Sequence, residues 1–214
     1  MLLFGTSVSP FVRKVMMYAA EKGIALENRP VRPGSDDPDF KLASPFGKIP
    51  AFKDGDFTLA DSTAIVHYLE AKVPNPPLIP LEPRARARAI WFDEMSDTVM
   101  FPSCTKIFFN RVLLPKLMQK PGDEARASEA ETKELPRIFE YLESVIPGSG
   151  FLVGDSLTIA DIAVVNQLVN LAYSNSHLDA GRYPKLAAYY ARHSARPSIT
   201  GLIAADKAML GIQG

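Results

Sequence analysis

The chain has 214 residues, 47% of them apolar, and its 24 lysines and arginines are balanced by 24 aspartates and glutamates. That length admits one large domain or two modest ones and the apolar share supplies a core, whereas a net charge of zero excludes a global basic field for holding nucleic acid or anionic lipid. A single cysteine, Cys104, excludes an internal disulfide and thiolate-cluster metal sites and suits a reducing compartment, so a cytoplasmic protein is expected.

The chain opens on MLLFGTSVSPFV, which lacks both a basic flank and a small-residue cleavage pattern, and no apolar run reaches the roughly 18 residues of a membrane span. Leu2 to Gly5 predicts a short buried strand. Phe11, Val12, Val15, Met16 and Ala19 then recur at helical spacing until Gly23 ends the run. Leu26 to Val31 predicts a second strand, followed by the polar PGSDDPD and a short helix-like stretch ending at ASPFGKIP. The segment IPAFKDGDFTLA places two apolar runs around Asp54-Gly55, a strong hairpin signal. After it, DSTAIVHYLEAK sets Ala64, Ile65, Tyr68 and Leu69 on one helical face, with Asp61 as the cap. The order is βαβ followed by ββα, an α/β domain over residues 1–73.

Between Val73 and Pro83 the chain carries five prolines, which predicts an extended linker over residues 74–83. Residues 84–214 carry helical patterns only, so an all-α second domain is expected. In it Leu135, Ile138, Phe139, Leu142, Val145 and Ile146 keep helical spacing, with Pro136 predicting a kink or boundary, as Pro102 and Pro115 do earlier. The stretch DSLTIADIAVVNQLVNLA is apolar on every side, the pattern of a helix enclosed by others. Thr158 and Asp161 form a capping-box arrangement at its start. Two more helices, separated near Arg196-Pro197, close the chain.

Three short pieces of the first domain could do chemistry: Ser9-Pro10, Lys48-Ile49-Pro50 and Asp61-Ser62. Each has a plain structural reading. Serine before proline is a helix cap with proline at the first helical position, Asp61 caps a helix, and Pro50 opens a strand. Thr6 and Ser7 stand close enough to substitute for Ser9, and Arg13, one turn further on, is either a source of positive potential or a solvated surface residue. His67, His177 and His193 have no ligand spacing, so no metal site is expected. TSVSP does not form the G-x-S-x-G elbow of a serine hydrolase, and Cys104 is expected to be a buried core residue.

Taken together, the serine at the start of the first helix, K-I-P before the hairpin and D-S at the start of the third helix resemble the cytosolic glutathione transferases. FLVGDSLTIADI resembles that family's capping motif in its core helix, and YPKL followed by RPS is similar to its C-terminal region. The S-P-F arrangement is similar to the serine-type tau enzymes, and to omega-type enzymes in which cysteine stands at that place. The resemblance implies a thioredoxin-like domain followed by a helical bundle, and a protein that binds glutathione as co-substrate and transfers it to a small apolar electrophile. Ser9 would donate a hydrogen bond to the glutathione thiolate, Ile49 would pair its backbone with the cysteinyl residue beside a cis Pro50, and Lys48 would lie near the glycyl carboxylate. Asp61 and Ser62 would take the γ-glutamyl ammonium and carboxylate. The electrophile would lie between the domains, lined by Phe11, Phe101, Thr105 and Phe108, with Met100 and Phe109 nearby, although aromatic residues at helical spacing also fit a core. A homodimer is implied, through the region of helix 4 and the hairpin. Isomerisation, dehalogenation, ether cleavage or disulfide reduction would use the same thiolate, and a non-catalytic binding protein would keep the same fold.

Overall fold

The computed structural model describes residues 1–176 and 178–212, so His177 lies outside the described residues. The chain divides into two compact units, Met1–Ile79 and Pro80–Gly214. The first holds β1 (Leu2–Phe4), α1 (Pro10–Glu21), β2 (Glu27–Arg29), α2 (Pro38–Ala43), β3 (Ala51–Asp54), β4 (Phe57–Ala60) and α3 (Ser62–Lys72). Its four strands lie in the order β2-β1-β3-β4, with β2 parallel to β1 and the β1-β3 and β3-β4 pairs antiparallel. The parallel pair requires a crossover, and α1 provides it. Leu3 and Phe4 are both fully buried, so β1 is covered on both faces, and Phe4, Val31, Phe40, Ala43 and Ala51 pack as one core cluster with the Phe4 and Phe40 rings 6.1 Å apart.

Two local differences from the sequence expectation have simple causes. β2 stops at Arg29, two residues short of Val31: the Arg29 carbonyl accepts from the Gly5 amide at 3.1 Å, and the Gly5 carbonyl, the next acceptor along β1, is taken by the Asn28 side-chain amide at 3.0 Å. In the hairpin Asp54 pairs with Phe57, so the turn residues are Gly55 and Asp56, with Gly55 supplying the positive φ of 64°. The proline-rich stretch is held by a buried ion pair: Lys22 Nζ lies 2.5 Å from Glu70 Oε2 and donates to the Pro76 carbonyl at 2.7 Å, and Glu70 Oε1 accepts from the Leu78 and Ile79 amides at 3.2 Å.

The second unit is built from α4 (Pro83–Met95), α5 (Phe101–Phe108), α6 (Glu124–Glu129), α7 (Leu135–Val145), α8 (Ile159–Tyr173), α9 (Pro184–Ser194) and α10 (Pro197–Leu210), with no strand among the described residues. π-helical segments at 96–100, 109–117 and 130–134 join α4 to α5, extend α5 and lead from α6 into α7. Pro102 and Pro136 each fall in the first turn of an α-helix that follows directly on a π-helical segment, so each marks the boundary between the two helix types within a continuous run, and Pro115 falls within a π-helical segment. Every residue of α8 except Ala172 is buried, as its all-round apolar pattern requires. The Asp161 carboxylate accepts hydrogen bonds from the Thr158 amide at 3.0 Å, the Leu152 amide at 2.8 Å and the Tyr189 hydroxyl at 3.2 Å, so the buried start of α8 has its donors satisfied. Among the described residues, no helix is long and apolar enough to cross a membrane.

Candidate functional site

Strand register brings the three sequence pieces of the first unit together. Phe4 pairs with Ala51, and Ala51 pairs with Ala60. One step beyond that row stand Gly5, Pro50 and Asp61, at one end of the sheet. Gly5 leads into the turn before α1 and Asp61 leads into α3, so the N-termini of both helices open at this same end. The approach is close. A Cβ on Gly5, whose φ is +133°, would stand 2.6 Å from Val12 Cγ2 and 3.2 Å from Ile49 Cβ, so only glycine lets the Ile49 loop, β1 and α1 meet.

Ser9 is the N-cap of α1, with Pro10 in the first turn, but its hydroxyl makes no hydrogen bond to the helix amides. The residue is half-buried, and its backbone is fixed by the Ser9 amide donating to the Thr6 carbonyl and the Arg13 amide donating to the Ser9 carbonyl, both at 3.0 Å. Arg13 is fully buried, which corrects the expectation of a solvated side chain: its Nη1 donates to the Ser7 carbonyl at 2.9 Å. Phe11 is half-buried beside this turn.

The Ile49–Pro50 peptide bond is cis, and so is Asn75–Pro76, for which the sequence carried no expectation. The loop before Pro50 is held by the Ser44 hydroxyl, which donates to the Lys48 carbonyl at 2.7 Å, and by the Gly34 amide, which donates to the Gly47 carbonyl at 2.8 Å. Ile49 is half-buried, while the Lys48 side chain is exposed and has no carboxylate partner among the described residues.

Asp61 is exposed, and its Oδ1 accepts from the Ala64 amide at 3.0 Å. Its φ of 83° with ψ of 130° is a conformation that L-residues rarely adopt, at a cost of order 1–3 kcal/mol, and one found disproportionately at functional sites. Ser62, the first residue of α3, is buried. Nothing in the sequence signalled the strained backbone at Asp61.

In the second unit Phe101 and Thr105 are half-buried on α5, while Phe108 is buried, its ring centroid 6.3 Å from that of Tyr173. Met100 is fully buried and Phe109 exposed. Burial pushes the Cys104 thiol up to about 12, so the lone cysteine is a packed, protonated residue. Among the described residues, no group of three or more histidine, cysteine, aspartate and glutamate side chains could hold a metal ion.

The family model for the glutathione S-transferase N-terminal domain matches residues 3–77, and the model for its C-terminal domain matches residues 111–206. A glutathione S-transferase of Hyoscyamus muticus is 32% identical over 168 residues, which cover 76% of this chain and 78% of that protein. The chain belongs to the glutathione S-transferase family. Glutathione S-transferase 3 of Zea mays is 29% identical over 210 residues, covering 95% of this chain and 93% of that protein. The apo structure of human glutathione S-transferase T1-1 superposes with a TM-score of 0.84 at 28% identity, covering 99% of this chain and 90% of that chain. The fold is that of the cytosolic glutathione transferases, a thioredoxin-like domain with a four-stranded mixed sheet followed by a helical domain.

Proposed function

We propose that this glutathione transferase holds the tripeptide across one end of the first domain's sheet and activates its thiol at Ser9. The observation that carries the reading is the register row Phe4-Ala51-Ala60, which brings Ser9-Pro10, Lys48-Ile49-Pro50 and Asp61-Ser62 to the same sheet end as two helix N-termini. A thiol with a pKa of about 8.5 is mostly protonated at neutral pH, and its thiolate is the nucleophile. The N-terminus of α1, with about half a positive charge, favours the anion. The Ser9 hydroxyl, uncommitted to capping, donates to the sulfur. Ile49 pairs its backbone with the cysteinyl residue in the manner of an added strand. Lys48, free of a carboxylate partner, meets the glycyl carboxylate. Asp61 takes the γ-glutamyl ammonium, and the Ser62 amide and hydroxyl take its carboxylate at the start of α3.

Transfer is then a substitution or an addition. With an aryl halide the sulfur forms a bond to the ring carbon and halide leaves with the bonding pair, while the thiol proton passes to solvent. Phe11, half-buried beside Ser9, lies at the electrophile's place, and the physiological role is detoxification of small apolar electrophiles. Residues 1–73 form the glutathione-binding domain, residues 74–83 the linker and residues 84–214 the helical domain of a cytoplasmic homodimer. Support for the dimer comes from apolar side chains that a monomer would leave in water: Phe46, 89% exposed, with Leu42 and Phe57 on the first unit, and Trp91 and Val99 on the second. Sedimentation velocity tests that state. The reaction is tested by Ser9→Ala with a chromogenic aryl halide, for which turnover falls about 10- to 100-fold, the worth of one hydrogen bond to a charged group. Unchanged turnover would remove Ser9 from its role.

A further inference from the structure

Two neighbouring cations of α1 reach to the two turns that carry the proposed anchors. Arg13, fully buried, donates from Nη1 to the Ser7 carbonyl at 2.9 Å. A peptide unit is planar, so holding the Ser7 carbonyl fixes the plane of the Ser7-Val8 peptide, one residue before Ser9. The Ser9 amide and carbonyl are held by Thr6 and by the Arg13 amide, so the turn is fixed from both sides. Lys14, 1% exposed, donates from Nζ to Thr63 Oγ1 at 3.2 Å. Thr63 follows Ser62 in the first turn of α3.

Burying a lysine or an arginine costs free energy unless its partners are well placed, and a hydrophobic pair would pack the same interface. Hydrophobic side chains would not hold one carbonyl and one hydroxyl at defined positions. One glutathione molecule must reach both anchors at once, its sulfur at Ser9 and its γ-glutamyl end at Asp61 and Ser62, so the separation of the two turns has to match the fixed length of the ligand. A misplacement of about 1 Å can cost about 10²-fold in rate.

We propose that Arg13 and Lys14 are positioning residues that divide this task, Arg13 setting the turn that presents Ser9 to the thiol, and Lys14, through Thr63, setting the turn of α3 that receives the γ-glutamyl group. The proposal rests on the anchor assignments above. Its signature is a split that a merely structural role does not produce. Thr63→Val, which keeps the side-chain shape and removes the acceptor, raises KM for glutathione about tenfold and leaves kcat and the acidity of the bound thiol unchanged, while Thr63→Ser restores KM. Arg13→Lys, which keeps the charge and loses the planar donor fork, lowers kcat and raises the pKa of the bound thiol with a smaller change in KM.

Thermal midpoints measured on the same samples separate folding from positioning. The proposal is overturned if Thr63→Val and Arg13→Lys change kcat and KM together in step with lost stability, or if neither changes either constant. Ser9→Ala and Asp61→Asn are measured alongside. If those two leave glutathione kinetics intact, the anchor assignments fail and the proposal falls with them; if they impair kinetics while the split is absent, the positioning roles alone fail.

Discussion

The starts of α1 and α8 use the same local vocabulary and end in opposite states. At α8 the polar groups are saturated: Asp161 accepts from two amides and the Tyr189 hydroxyl, and Thr158 Oγ1 donates to it at 3.3 Å, all inside the helical unit. At α1 the cap serine is half-buried and its hydroxyl makes no hydrogen bond to the helix. A helix start enclosed by its own domain must satisfy its orphan amides internally, because no water reaches them. A helix start at the end of a sheet can leave its amides and a hydroxyl for a ligand. The difference is one of surroundings: Ser9 lies where three loops converge, and Thr158 and Asp161 lie under Leu152 and Tyr189.

The largest test of this contrast is Asp161→Ala. It leaves the Leu152 and Thr158 amides without an acceptor, at about 1–3 kcal/mol each, while the Tyr189 hydroxyl keeps the Asp161 backbone carbonyl at 3.3 Å, so the loss is at least about 2 kcal/mol and the thermal midpoint falls by about 4–8 °C. A midpoint within about 2 °C of the parent would show that the α8 cap is not a structural necessity. Ser9→Ala should give the reverse pattern. Because the hydroxyl caps nothing, stability stays within about 0.5 kcal/mol of the parent while conjugation is impaired. A large loss of stability would return Ser9 to the status of an ordinary cap.

A third test sharpens the account of the α8 surroundings. His193 is fully buried, with Nε2 2.8 Å from the Gly150 carbonyl and Nδ1 without a partner. A carbonyl only accepts, so Nε2 carries the proton and Nδ1 is bare. Burial is the largest influence on this imidazole and lowers its pKa from 6.5, against the raising effects of the Gly150 carbonyl and Asp161. With the folded pKa below the unfolded one, the unfolded chain binds a proton first as pH falls through about 6.5, so folding stability declines with acidification in that window. Thermal midpoints measured between about pH 7.5 and pH 5.5 should drop more for the parent than for His193→Asn. Equal slopes would remove His193 as a source of acid sensitivity.

Much of the fold was legible because its signals are local. Asp54-Gly55 marked the hairpin, the helical spacing of apolar residues marked α1 and α3, and the all-round apolar pattern of DSLTIADIAVVNQLVNLA marked α8 as enclosed. What the sequence could not show depends on register and burial. The row Phe4-Ala51-Ala60 is a tertiary fact, as is the strained backbone of Asp61, and no pattern separates the open cap at Ser9 from the closed one at α8. Arg13 read as either a source of positive potential or a solvated surface residue, yet it and its neighbour Lys14 are buried, because the groups they bind come from residues 7 and 63. Phe108 shared the helical spacing of Phe101 and Thr105 but packs inward on Tyr173. Pro136 was ambiguous for a related reason, since a proline ends or starts a helix according to where the preceding turn lies.

The most direct test is an ultraviolet titration of the thiolate of glutathione bound to the parent protein and to Ser9→Ala. The account predicts a bound thiol with a pKa well below the roughly 8.5 of a free thiol in the parent, moved upward in the variant. A bound thiol that titrates as it does in plain buffer, with or without the Ser9 hydroxyl, would contradict it.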